Sequence, residues 1–256
     1  MFTFDTTQLS QWYGAVFWPL TRILALVAAA PLLSHRAIPV RAKVGIALAI
    51  TLAVAPVVSS PPVAGLLEAR ALMPLAHNIL VGLSIGFAVR LVFVAIELAG
   101  QLIGLQIGLG FAGYFNPDMG ETENVVSNFT SMLALLMFLA IDGHLMLLYA
   151  VVDSFRLFPA GTTGALPIDP MMLVHAASDV FAIAMTISLP ILAVMLLVNV
   201  VLGLMARVAP QLNLFAVGFP LTVLAGLAAL TLFLPTLEAP LRAVLQRSLS
   251  MLPGAG

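Results

Sequence analysis

The chain has 256 residues, of which 62% are hydrophobic and only 8% charged, with a formal net charge of −1. A soluble domain carries roughly 25% charged residues, so this composition excludes an ordinary soluble globule and puts nearly all of the chain in a membrane. The near-neutral balance excludes a nucleic-acid surface, and the absence of cysteine excludes disulfides and thiolate metal sites.

Residues 1–5, MFTFD, lack the basic start of a cleaved signal peptide, so the chain is expected to insert whole. A hydrocarbon core of about 30 Å takes roughly 20 apolar residues as helix. By that measure six apolar segments are expected. The first covers 11–31 and is interrupted by Pro19 and Arg22. The linker SHRAIPVRAK (34–43) carries Arg36, Arg41 and Lys43, and the second segment covers 44–58. The third covers 74–110, nearly twice the length of a straight crossing, with Arg90 and Glu97 inside it. The fourth covers 125–152 around Asp142-Gly143-His144, and the Pro- and Gly-rich link 153–170 is the best internal boundary. The fifth covers 171–205 with Pro190 inside, and the turn 207–213 leads to the sixth, 214–234, with Pro220 inside. An amphipathic tail with Arg242 and Arg247 follows. Proline within an apolar helix deletes a hydrogen bond and kinks the segment, so kinked, small-residue-rich packing is expected.

Six full crossings would put the basic first linker and the basic tail on opposite sides, against the positive-inside rule. Both preferences hold only if one segment fails to cross, and the overlong third is the natural one.

The stretch 97–123, ELAGQLIGLQIGLGFAGYFNPDMGETE, is the most informative. Gly100, Gly104 and Gly108 share a helix face at four-residue spacing, where another backbone can approach closely. Gly82 and Gly86 form a similar pair, and all five glycines are expected to serve subunit packing. After them come Gly110, Phe111, Gly113, Tyr114, Phe115, Asn116 and Pro117. Non-helical backbone at membrane depth is tolerated only when buried in protein or lining a cavity, so this loop is expected to be enclosed. Arg90, Glu97 and Gln101 continue the glycine-bearing face. Lipid penalises each such charge by about 2.5–3.5 kcal/mol on the insertion scale, so they should face protein, either another subunit or an intrachain partner such as Asp142. The acids Asp118, Glu121 and Glu123 read as a solvated rim or a polar pore mouth.

Three catalytic readings are weighed and set aside. Gly108-x-Gly110-x-x-Gly113 has the dinucleotide string but a helix before it and Asn-Pro after it, the wrong context. Gly82-Leu-Ser84-Ile-Gly86 has the nucleophile-elbow string without a strand-to-helix turn. Asp142-Gly143-His144 has the residues of a proton relay, but the plainer reading is a helix break whose polar neighbours satisfy freed backbone groups. No metal-ligand spacing and no cofactor motif in its proper context is found, so neither a cofactor nor an enzyme activity is expected.

Four pieces together, PLLSHRAIPVRAKVGIALAITL (31–52), ELAGQLIGLQIGLGFAGYFNP (97–117), DGH with the following SF and P (142–159) and APQLNLFAVGFPL (209–221), resemble the FliR/SctT family of type III secretion export-gate proteins, the flagellar branch more closely than the virulence branch. The resemblance covers nearly the whole chain. It implies an all-α integral membrane protein of kinked helical hairpins, with a FliP-like part (1–165) followed by a FliQ-like helical hairpin (166–256). It implies a helical hetero-oligomer with one such chain beside five copies of FliP and four of FliQ. FlhB would lie at the cytoplasmic entrance, FlhA around the gate, and unfolded export substrates in the lumen. The location implied is the bacterial inner membrane, in the flagellar basal body and partly displaced towards the periplasm. The loop at about 106–122 is implied to plug the lumen with Phe111, Tyr114, Phe115, Asn116 and Pro117, and the turn holding Gln211 and Asn213 to face the cytoplasmic-side entrance. From a different class, the alternative is a stand-alone proton- or ion-coupled transporter using Glu97, Asp142 and His144.

Overall fold

A computed structural model describes residues 6–34, 38–58, 72–109, 124–161, 170–209 and 214–250. Among these the ordered elements are all helices: α1 (Thr6–Ala29), α2 (Pro31–Ser34), α3 (Val40–Val54), α4 (Leu72–Ile107), α5 (Val125–Ala140), α6 (Gly143–Leu157), α7 (Pro170–Val208) and α8 (Leu214–Ser250). Hydrocarbon offers no water to exposed backbone groups, so apolar segments close their hydrogen bonds internally as helix. Hydroxyls are absorbed in the same way. Thr51 donates to the Ala47 carbonyl at 2.7 Å, Ser84 to Val81 at 3.0 Å and Thr231 to Ala228 at 2.9 Å. The chain is an all-α membrane protein.

The count of crossings needs correcting. Three helical stretches among the described residues are long and apolar enough to span a bilayer: Leu72–Ile107, Val174–Val208 and Val217–Pro235. The pair Val125–Ala140 and Gly143–Leu157, bent by 65° at its break, makes a fourth if it is one span. The second expected segment falls short because α3 has 15 residues, about 22 Å of helix, with Arg41 and Lys43 in its first turn. The apolar part of the first is the shorter helix Tyr13–Ala29. Nor is the third segment alone in its length. α4, α7 and α8 run to 36, 39 and 37 residues, each about 54–58 Å long. Pro190 and Pro220 lie within unbroken α7 and α8, and the expected separate tail is the continuation of α8 past Pro235 and Pro240.

The chain forms two compact units, neither continuous in sequence: residues 1–91, 139–177 and 246–256 make the first, and 92–138 and 178–245 the second. In the first, α1 packs against α2, α3 and α6, with Ile23, Leu26, Ala30, Ala47, Ile85 and Val151 almost fully buried. The core of the second gathers Ile103 and Ile107 of α4, Val126 of α5, Ile191 and Met195 of α7, and Ala229 and Leu230 of α8.

Candidate functional site

Helix α4 carries most of the polar and small residues that stand out in the sequence. Its glycines mark where this chain's own backbone comes close. A Cβ at Gly82 would run into the Arg22 carbonyl and come within 2.9 Å of the Ala25 Cβ, and one at Gly86 would lie 2.7 Å from the Ala29 Cβ. Two small pairs, Gly82/Gly86 on α4 and Ala25/Ala29 on α1, thus bring the helices into near contact. Further along, a Cβ at Gly100 would meet the Thr130 hydroxyl and the Ser127 Cα, and one at Gly104 would meet the Asn124 side chain. These four close approaches are made within the chain. Gly108 has φ +92°, a conformation that disfavours a side chain. Its N–H donates to the Leu105 carbonyl at 3.1 Å, ending the helix in the manner of a left-handed C-terminal glycine.

Beyond Gly108 the chain returns to the same place. Asn124 lies against Gly104, and its Nδ2 donates to the Gln101 carbonyl at 3.3 Å. Asn124 Oδ1 also accepts from the Val126 N–H at 3.0 Å, at the start of α5. Ser127 Oγ donates to the Glu97 carbonyl at 3.0 Å. The end of α4 and the start of α5 are therefore pinned side by side. The plug residues Gly110, Phe111, Gly113, Tyr114, Phe115, Asn116 and Pro117 lie outside the described residues, as do Gln211 and Asn213 of the entrance turn.

Arg90, Glu97 and Gln101 are exposed on α4. Arg90 and Asp142, the example of an intrachain pairing, form no ion pair. Arg156 pairs instead with Asp153, at 3.9 Å. Asp142 itself is exposed and left-handed, at φ 57° and ψ 26°. The break is made by Asp142, not by the freedom of Gly143, which is buried as the first residue of α6. Nor does the Asp142 side chain cap α6. Its carbonyl does that work, accepting from Leu145 N–H at 2.9 Å and Met146 N–H at 3.1 Å. His144 keeps a buried Nδ1 with no hydrogen-bond partner. Within the described residues no hydrogen bond links Asp142 to His144, as a relay would need.

Sequence reasoning treated Arg22 as an interruption of the first segment; it is the most elaborately held side chain of the first unit. It is fully buried, where an unmet charge costs several kcal/mol. Nε donates to Asn78 Oδ1 at 2.8 Å, one terminal nitrogen to Ser154 Oγ at 3.0 Å and the other to the Phe158 carbonyl at 2.8 Å. The guanidinium carbon lies 3.9 Å from the Phe155 ring centroid, a cation–π contact worth about 2 kcal/mol when desolvated. None of these partners is a carboxylate. Phe158 is the C-cap of α6, however, and a helix C-terminus carries about half a negative charge. Asn78 is held in turn, its Nδ2 donating to the Trp18 carbonyl at 2.8 Å and to Thr21 Oγ1 at 2.6 Å. One arginine thereby ties α1 to α4 and to the end of α6. The signal was present: an ionisable residue in an apolar helix is expected to have a partner.

No group of three potential metal ligands occurs among the described residues. Ser84 sits mid-helix with its hydroxyl given to a backbone carbonyl, which is not the strand-to-helix elbow a hydrolase needs. The chemistry on offer is packing, charge and helix ends.

Comparison with known families matches residues 13–248 to the bacterial export proteins, family 1. The chain is similar to the flagellar biosynthetic protein FliR of Pectobacterium carotovorum subsp. carotovorum, at 39% identity over 237 residues, covering 92% of this chain and 90% of that protein. The flagellar biosynthetic protein FliR of Escherichia coli (strain K12) is 37% identical over 235 residues, covering 92% and 90%. That of Bacillus subtilis (strain 168) is 30% identical over 205 residues, covering 79% of each.

Proposed function

The chain belongs to the bacterial export proteins, family 1, and from that membership we propose that it is one subunit of the flagellar type III export gate, forming with FliP and FliQ the channel for unfolded flagellar proteins. Family and relatives make it a membrane component of flagellar protein export; the finer reading concerns its partners, place and mechanism. One copy joins five of FliP and four of FliQ, with FlhB at the entrance and FlhA around the gate, in the bacterial inner membrane and partly displaced towards the periplasm. Its role is structural and gating, not enzymatic. Residues 1–165 act as the FliP-like part and 166–256 as the FliQ-like hairpin, with Gln211 and Asn213 turned towards the cytoplasmic entrance.

The observation that carries the reading is similarity to flagellar FliR proteins over nine-tenths of this chain. A second supports the gating role. Asn124, just before α5, is held against Gly104 and Gln101 in the last turns of α4, so the glycine- and aromatic-rich segment joins two neighbouring helix ends, as a plug loop would. Hydrophobic constrictions gate by excluding water, and Phe111, Tyr114 and Phe115 supply the rings.

Affinity purification of the tagged full chain, co-expressed with FliP and FliQ, followed by mass measurement of the intact particle, tests the proposal. The expected result is one copy of this chain with both partners. A chain that is stable alone, recovers neither partner and binds a small solute would overturn it in favour of a transporter.

A further inference from the structure

Helix α6 carries a lined cleft on one face. Leu148, Tyr149, Val152, Asp153 and Arg156 recur at three- and four-residue spacing, which places them on the same side of the helix. With Val57 from the turn after α3 they line a cleft of about 370 Å³, within the size range of small-molecule sites. All six residues belong to the first compact unit. From Leu148 to Arg156 the cleft follows about 12 Å of helix. That shape admits one extended hydrocarbon chain, whereas a second helix, about 10–12 Å across, does not enter it.

The lining changes character along the cleft. Val57, Leu148 and Val152 supply apolar wall, and Asp153 and Arg156 lie where the apolar run of the helix stops. Charge is costly in hydrocarbon, so that end belongs at headgroup level. Tyr149, two turns before Arg156, is 73% exposed and has the amphipathic ring that tyrosine places at a membrane–water boundary. Arg156 and Asp153 approach each other at 3.9 Å, too far for a hydrogen bond. The Arg156 side chain is 77% exposed, and an exposed pair of this kind holds its members weakly. Each ion therefore keeps its bonding capacity for an outside partner. The two charges cancel, so the cleft does not select a net anion. It offers one cation and one anion within a single helical turn, beside a slot for a hydrocarbon chain.

We propose that this cleft binds one membrane phospholipid with a zwitterionic, primary-ammonium headgroup, of the phosphatidylethanolamine class. The phosphate lies on the Arg156 guanidinium, whose planar fork suits it. The ammonium donates to the Asp153 carboxylate, and one acyl chain runs along Leu148 and Val152. The inference needs only the membrane placement of the chain and stands apart from the export-gate reading.

The test uses the full chain, purified in detergent with the subunits that accompany it. Phosphatidylethanolamine, phosphatidylglycerol or phosphatidylcholine, each with a diazirine on one acyl chain, is added, and labelled peptides are mapped by mass spectrometry after illumination. Phosphatidylethanolamine is expected to label the α6 face about ten-fold more than phosphatidylglycerol, which lacks the ammonium, or phosphatidylcholine, whose quaternary ammonium has no N–H to donate. Unlabelled phosphatidylethanolamine should compete the label away from the unmodified protein. Arg156→Gln is expected to lower labelling by all three lipids about ten-fold. Asp153→Asn leaves the cation alone and should bring phosphatidylglycerol to within about two-fold of phosphatidylethanolamine. Val152→Trp fills the cleft without touching either charge and should abolish the label from every lipid. Equal labelling of the unmodified protein by the three lipids would mean a lipid-facing surface without a site and would overturn the inference. So would a headgroup preference that Asp153→Asn leaves unchanged, or label found on neighbouring subunits and absent from α6, which would mean that protein covers this face.

Discussion

Arg22 Nε donates to Asn78 Oδ1 at 2.8 Å across the α1–α4 contact, with both side chains buried. The pair joins the two helices at the level where Gly82 lets them touch. Asn78 is the more exacting member, because it positions the guanidinium while binding the Trp18 carbonyl and Thr21 itself. Asn78→Ala leaves a buried cation short of a partner and should cost about 3 kcal/mol or more. Replacing both groups by apolar residues of similar size, Arg22→Met with Asn78→Leu, removes the need along with the partner and should cost less. Thermal midpoints of the purified complexes give the order. If the single change melts no earlier than the double, the buried cation is not what Asn78 stabilises.

Gly82 and Gly203 are both helical glycines, and the structure separates them. A methyl at Gly82 meets the Arg22 backbone, which cannot swing away, while one at Gly203 meets nothing within 4 Å. Gly82→Ala should destabilise by about 1–3 kcal/mol through overpacking. Gly203→Ala within the chain alone should gain up to about 1 kcal/mol of helix propensity. Thermal midpoints of the purified complexes carrying each change compare them, and equal effects would mean that the α1–α4 approach is looser than described.

These two residues show what the sequence could and could not convey. The small-residue spacing at Gly82 and Gly86 was legible because a helix face follows from arithmetic alone. That α1 fills that face was not, because Ala25 and Ala29 lie among many alanines with nothing to single them out. The helical, membrane-bound class was plain from composition. The count of spans was not, since apolar length fixes neither where a helix breaks nor whether it continues past the bilayer. The break at Asp142 was visible as a place but assigned to the wrong residue, because glycine is the usual breaker and Asp142 takes the left-handed turn itself. Arg22 was legible only as an oddity, its partners lying 56 and 132 residues away.

Residues 110–117 can be removed while the helix ends that flank them keep their ties, since those ties run through Gln101, Gly104 and Asn124. Their deletion should therefore spare assembly and make the gate leak ions, as loss of a dewetted constriction would. Single-channel recording of the purified particle in lipid bilayers reads this directly. Conductance equal to that of the intact gate would show that the rings of Phe111, Tyr114 and Phe115 do not close the conduit.

Asp142 separates a structural acid from a proton carrier. Its φ of 57° costs most side chains about 1–2 kcal/mol, while glycine bears it freely and asparagine tolerates it better than most. If the residue matters as the bend between α5 and α6, Asp142→Asn and Asp142→Gly should both keep swimming motility and secretion of flagellar subunits near the parental level. Asp142→Val should lower both, because a branched side chain is strained in that turn. A carboxylate that passes protons gives the opposite order: asparagine keeps the bend but cannot titrate, so Asp142→Asn would abolish export while the complex still assembled. The exposed, unbonded carboxylate and the two N–H groups received by its backbone carbonyl favour the first outcome, with the bend mattering and the charge not.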